Sequence, residues 1–83
     1  SDDTNGLTPI TAQMVGSFYT AASPEATPFV KVGDTIKKGQ IICIIEAMKL
    51  FNEIESEVDG VIEKICLNNG DSVEFGQTLF LIK

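Results

Sequence analysis

"VGDTIKKGQIICIIE", residues 32–46, decides how this chain folds, because the chain contains it twice. Laid over "NGDSVEFGQTLFLIK", residues 69–83, Gly33, Asp34, Gly39, Gln40 and Ile45 meet Gly70, Asp71, Gly76, Gln77 and Ile82. Thr35 meets Ser72, and Ile36 meets Val73. Two glycines at the same spacing, each followed by the same polar residue, mark a structural repeat. Earlier segments repeat more weakly. "ITAQMVGSF" (10–18) lies over "IESEVDGVI" (54–62), resting mainly on Ile10 with Ile54 and Gly16 with Gly60. The offset is 44 there and 37 later, so the first half holds about seven extra residues. They fall within "YTAASPEATP" (19–28), whose prolines and small polar residues read as a loop.

Each half reads as β. In the first half, strand-like runs are Thr8–Gln13, Gly16–Thr20, Phe29–Val32 and Ile41–Glu46. The second half offers Leu50–Glu57, Gly60–Leu67, Ser72–Glu74 and Thr78–Ile82. Helix competes only over 41–50, where four isoleucines in five positions after a Gly favour strand. Short strands at regular spacing with Gly-containing turns predict an all-β sandwich or barrel. Two similar halves in one compact domain face each other across a pseudo-two-fold axis. That axis predicts the seam between them, residues 46–50, at one end of the domain and both chain ends at the other.

The totals bound the chemistry. The 83 residues suffice for one small domain. We assign 1–7 to a linker remnant and 8–83 to the domain. There is no His, which removes the usual general base and the commonest metal ligand. Cys43 and Cys66 lie in separate apolar runs and read as small buried side chains in a reducing compartment, not as a metal site. A net charge of −6 argues against nucleic acid and anionic membrane as partners. No apolar stretch approaches the roughly 18 residues of a membrane span, and no signal-peptide pattern is present.

The seam itself, Glu46-Ala47-Met48-Lys49, holds none of the residues that make tight turns easily. A lysine at a hairpin tip is ordinarily just solvated. Here that reading must also cover an apolar Met48 beside it, at a two-residue turn with little core to reach. Exposed Met is an adaptable contact surface, so the tip looks built for recognition by another protein. Lys49 offers an amine with no partner base and no pocket, which suits acylation by an outside enzyme better than catalysis.

"EAMK" at a hairpin between two half-repeats resembles the biotinyl domain family. "GSFYTAASPEATPFVKVGD" and "EAMKLFNEIE" are most similar to the carrier domains of multisubunit acetyl-CoA carboxylases. The resemblance covers about Ile10 to Lys83. It implies a flattened barrel or sandwich of two four-stranded antiparallel sheets related by a pseudo-two-fold axis. It implies biotin in amide linkage to Lys49, with Glu46, Ala47, Met48 and Leu50 read by the biotin ligase. The inserted loop, about 21–28, then resembles the family's protruding "thumb" that can lie against biotin, with Ala22, Ser23, Pro24, Glu25, Ala26 and Thr27 at its centre. The implied role is a non-catalytic carrier in the cytoplasm, or in the plastid stroma of a plastid-bearing source. It carries a carboxyl group from a biotin carboxylase subunit to a carboxyltransferase subunit, making malonyl-CoA for fatty acid synthesis. The isolated domain is expected to be a monomer. Leu50 stands where the family commonly has Met, and Ala12-Gln13 where it commonly has Ser-Pro. The alternatives are a lipoyl-type carrier, whose lysine typically follows Asp, and a biotin-free interaction module.

Overall fold

The structure, a computed structural model, describes residues 6–83, so most of the stretch assigned to a linker lies outside the described residues. Eight strands follow in order: β1 (Thr8–Thr11), β2 (Gly16–Tyr19), β3 (Thr35–Ile36), β4 (Ile41–Ala47), β5 (Leu50–Glu55), β6 (Gly60–Ile65), β7 (Ser72–Val73) and β8 (Thr78–Ile82). They form two four-stranded sheets with orders β1-β8-β6-β3 and β5-β4-β2-β7, all pairings antiparallel. The repeat maps β1, β2, β3 and β4 onto β5, β6, β7 and β8. Applied to the first sheet, that mapping yields the order of the second. The expected all-β sandwich with a pseudo-two-fold axis is the fold observed, and each sheet draws strands from both halves.

The core follows the same symmetry. Ile36 and Val73, Ile42 and Leu79, Cys43 and Phe80, Ile45 and Ile82, and Phe18 and Ile62 are equivalent pairs, all in one buried cluster. Phe18 and Phe80 bridge the sheets with ring centroids 6.0 Å apart and planes tilted by 59°, a favourable aromatic geometry. Even the connections repeat. Gly76 N–H donates to the Ala12 carbonyl and Ala12 N–H to that of Gln77, while Gly39 N–H donates to Ser56 and Ser56 N–H to Gln40. At Cys43, burial pushes the thiol up to about 12, so it stays protonated and inert.

One sequence expectation fails. Phe29–Val32 is not a strand; the third strand is Thr35–Ile36. Lys31–Asp34 is instead a turn, with Gly33 at φ 96°. Asp34 N–H donates to the Lys31 carbonyl, and the Asp34 carboxylate accepts from Lys31 N–H. The same turn recurs at 37–40, 68–71 and 74–77, with Gly at positive φ third and an Asp or Gln side chain closing back on the first N–H. Positive φ is what glycine supplies at the third position of a type II turn. The repeated Gly-Asp and Gly-Gln pairs are therefore turn closures, and they displace the strand. Five of the other predicted strands lose one or two residues at their ends, Ile41–Glu46 gains Ala47, and Thr78–Ile82 is found as expected.

Gly16 and Gly60 repeat for a different reason. A Cβ at Gly16 would run into the Glu46 carbonyl and come within 2.7 Å of Ile45 Cγ2. A Cβ at Gly60 would meet the equivalent Ile82 and Lys83. Both glycines let adjacent backbones approach. We expect Gly16→Ala to lower stability by about 1–3 kcal/mol through overpacking, read as a reduced urea midpoint with an unchanged m-value.

Candidate functional site

The β4–β5 hairpin carries the tip. Its last rung pairs Ala47 with Leu50, leaving Met48 and Lys49 as a two-residue loop. Their φ values are 54° and 67°, the only positive values among described non-glycine residues. Two consecutive positive φ angles define the type I′ turn, whose twist matches that of the flanking strands. The hairpin thus turns without Gly by placing two L-residues in the left-handed region, at a cost of about 1–2 kcal/mol each. Glu46 offsets part of this, its Oε2 accepting from Lys49 N–H at 3.0 Å. Lys49 is exposed, and Met48 is 92% exposed. Neither reaches the core.

The tip lies opposite the start of β1 and the end of β8. β8 starts at the 74–77 turn, which bonds to Ala12 just after β1, and β2 starts beside the end of β4. From there β8 runs the length of the domain to Ile82, which pairs with Thr8 at the start of β1. All five tip residues proposed from the sequence, Glu46 to Leu50, are therefore gathered at the end where a partner has free approach.

The inserted loop is pinned at its base. Phe29 N–H donates to the Thr20 carbonyl, and both Thr20 N–H and Oγ1 donate to Asn69 Oδ1 at 2.8 and 3.0 Å. At its crown, Ala26 N–H donates to the Ser23 carbonyl, closing a turn with Pro24 second, where proline's fixed φ fits. Ala22 to Thr27 are all exposed. Between this loop and the outer face of the β5-β4-β2-β7 sheet lies a cleft of about 470 Å3. Ala21, Ala22, Ser23 and Pro24 form one wall, and Tyr19, Phe51 and Asn69 the other. Glu25, Ala26 and Thr27 do not line it.

Sequence reading missed Tyr19, Phe51 and Asn69. Phe51 carried a signal. It alternates with the core-facing Asn52 and Ile54, so it stands on the outer face, an aromatic two residues beyond Lys49. Asn69 also carried one, as the place where the repeat substitutes a polar residue for Val32. Ile44 faces away from the Cys43 and Ile45 side and lies outside the core cluster, yet it is only 5% exposed.

No cluster of residues able to hold a metal is found among the described residues, and no salt bridge to Lys49 is found among them. The arrangement offers one accessible amine on a protruding turn beside an apolar cleft.

Known proteins are similar to this chain over most of its length. A family model described as "Biotin-requiring enzyme", of biotin and lipoyl domains, matches residues 8–82. The chain is 56% identical over 73 residues to the biotin carboxyl carrier protein of acetyl-CoA carboxylase of Pseudomonas aeruginosa, covering 88% of this chain and 47% of that one. It is 54% identical over 74 residues to the protein of the same name from Streptococcus pyogenes, covering 89% and 45%. The chain thus spans just under half the length of these relatives. Among solved structures, the urea carboxylase of Kluyveromyces lactis matches over the whole chain and 6% of its own, with a TM-score of 0.75 and 29% identity.

The strain at the tip is measurable. Met48→Asn with Lys49→Gly installs the preferred I′ pair and should raise stability by about 1–2 kcal/mol. The check is the urea midpoint of the double variant against the parent.

Proposed function

Because the chain belongs to the biotinyl/lipoyl domain family, we propose that it is a biotin carboxyl carrier domain and that Lys49 bears the biotin. The observation that carries this reading is Lys49 itself, an exposed amine held in a strained turn at the free end of the domain. The Lys49 nitrogen would be the group acylated by a biotin ligase: a carbon–nitrogen bond would form to the ATP-activated carboxyl carbon of biotin, AMP would leave, and the ammonium's protons would pass to solvent or the ligase's base. Glu46 holds the turn that presents the amine, and Ala47, Met48 and Leu50 give the ligase an apolar surface around it.

Once bound, biotin supplies a ring that accepts and releases a carboxyl group. The protein supplies position. Tethering raises the effective concentration of the arm at two separate active sites, so the domain itself needs no base, nucleophile or metal. We place those sites in a biotin carboxylase subunit and a carboxyltransferase subunit of an acetyl-CoA carboxylase, with malonyl-CoA as product, because the relatives bear that name. A cytoplasmic or plastid setting suits two free thiols. The cleft beside Phe51 has the apolar lining a biotin ring would accept, which gives the loop its thumb role. Lipoylation is disfavoured by Met48, since the lipoyl pattern places Asp before the lysine.

Intact mass measurement after incubation with biotin, ATP and a biotin ligase tests the site. The parent should gain one biotinyl mass and Lys49→Arg none; a lipoyl gain with a lipoate ligase instead would overturn the reading. Deleting 21–28 tests the loop. The variant should fold and still be biotinylated, while carboxyl transfer falls about tenfold or more, an effect within the reach of lost positioning. Equal loss in both reactions, or unfolding, would make the loop structural.

A further inference from the structure

The surface around the tip carries more than the Ala-Met-Lys sequence. Of the large apolar side chains left exposed among the described residues, Met48, Leu50 and Phe51 belong to the β4–β5 hairpin, Val15 and Phe75 to the β1–β2 and β7–β8 connections, and Val32 to the β2–β3 connection. Val15 is 63% exposed and Phe75 70%. Strand register brings them to the tip. β2 pairs with β4 through Ser17↔Glu46, so extending the ladder sets Gly16 beside Ala47 and Val15 beside the Met48 turn. On its other side β2 pairs with β7 through Gly16↔Val73, which sets Val15 beside Glu74, the neighbour of Phe75.

The pseudo-two-fold axis provides an internal comparison. At the opposite end, the position equivalent to Val15 is Asp59 and the one equivalent to Phe75 is Lys38. These two are joined there, Lys38 N–H donating to Asp59 Oδ1 at 2.7 Å. The same backbone in the same turn therefore tolerates charged residues at both places. Stability does not require valine or phenylalanine at the tip end, and exposing them is unfavourable in water. The symmetry is kept in the turns and core and broken at these two side chains, on the end that carries Lys49.

We propose that Val15 and Phe75 extend the tip into an apolar docking face through which the enzyme that acylates Lys49 recognises the folded domain. This rests on the carrier reading above. Geometry makes the contact hard to avoid. An enzyme that joins an acyl group to Lys49 must cover the tip, and a standard interface takes about 800 Å2 from each partner, a disc roughly 30 Å across. Neighbouring strands are about 4.8 Å apart, so β2 and β7 lie about 5 and 10 Å from β4, well inside that disc. Glu46 and Glu74 flank the apolar groups, so the matching surface is apolar with a cationic rim. The tip motif alone is then an incomplete substrate: Val15 and Phe75 come from connections far from Lys49 in sequence and reach it only in the folded sheet.

The test is initial-rate biotinylation by a purified biotin protein ligase at varied domain concentration. The variants are Val15→Asp and Phe75→Lys, each taking its symmetry mate's residue, and the two combined. Val32→Asn is the control, an exposed apolar residue away from the tip replaced in the same way. The double variant should raise KM for the domain about tenfold with kcat within about twofold, as for loss of an interface anchor. Each single change should do less, and the control nothing. Thermal unfolding should stay within a few degrees of the parent; if the double variant melts early, Phe75→Ser alone gives the same comparison. Unchanged KM in the variants, with the parent biotinylated on Lys49, overturns the docking face and leaves the carrier reading intact. A parent that takes no biotin overturns both. A parent dimer that the variants dissociate would show that a second copy, not the ligase, occupies this face.

Discussion

Everything in this domain depends on two sheets sharing one core while each sheet is assembled from both halves of the chain. Neither half has a sheet of its own. Phe18 of β2 meets Phe80 of β8 across the interior, and the isoleucines and their equivalents fill the layer around them. A domain this small buries only about 60% of the surface its unfolded chain exposes, so little apolar area is available to waste. Interleaving the halves lets every short strand but the edges be paired on both sides. It also demands close backbone approach at two equivalent places, which Gly16 and Gly60 allow.

That scaffold explains why a strained tip is tolerable. Two left-handed residues in a free hairpin would oppose its formation by about 2–4 kcal/mol. Here β4 is a central strand, paired with β2 as well as β5, and its register is fixed by core residues on one face. The turn is over-determined by what lies beneath it, as strained functional backbones usually are. Glu46 contributes locally by accepting the Lys49 N–H. An Asn-Gly turn would relieve the strain and remove the amine, so stability and function ask for different residues at the same two positions.

Symmetry also separates what the fold needs from what the function needs. Turn-closing Gly-Asp and Gly-Gln pairs, close-approach glycines and core apolar residues recur in both halves. The loop at 21–28, the Met48-Lys49 turn, and the apolar Val15 and Phe75 occur once. The loop is more than an appendage: its base is fastened to Asn69, on the connection from the other half, by two hydrogen bonds.

The sequence by itself determined the all-β class, the two-fold repeat, the place of the insertion and the placing of Lys49 at a tip between the two halves. Those features are written in periodic spacing, which survives without coordinates because turns and core positions must recur wherever the backbone recurs. Its one misplaced strand came from reading Phe29–Val32 by composition when the repeat already pointed to Thr35–Ile36. Only the tertiary structure decided the rest. The type I′ form of the tip depends on strand twist and register, because nothing in Met-Lys favours positive φ. The cleft joining Tyr19, Phe51 and Asn69 to the loop, and the register that runs from β2 toward the Met48 turn on one side and toward Glu74 on the other, depend on which strands lie side by side. Strand neighbourhood is set by packing across the whole core, and no local stretch of sequence encodes it.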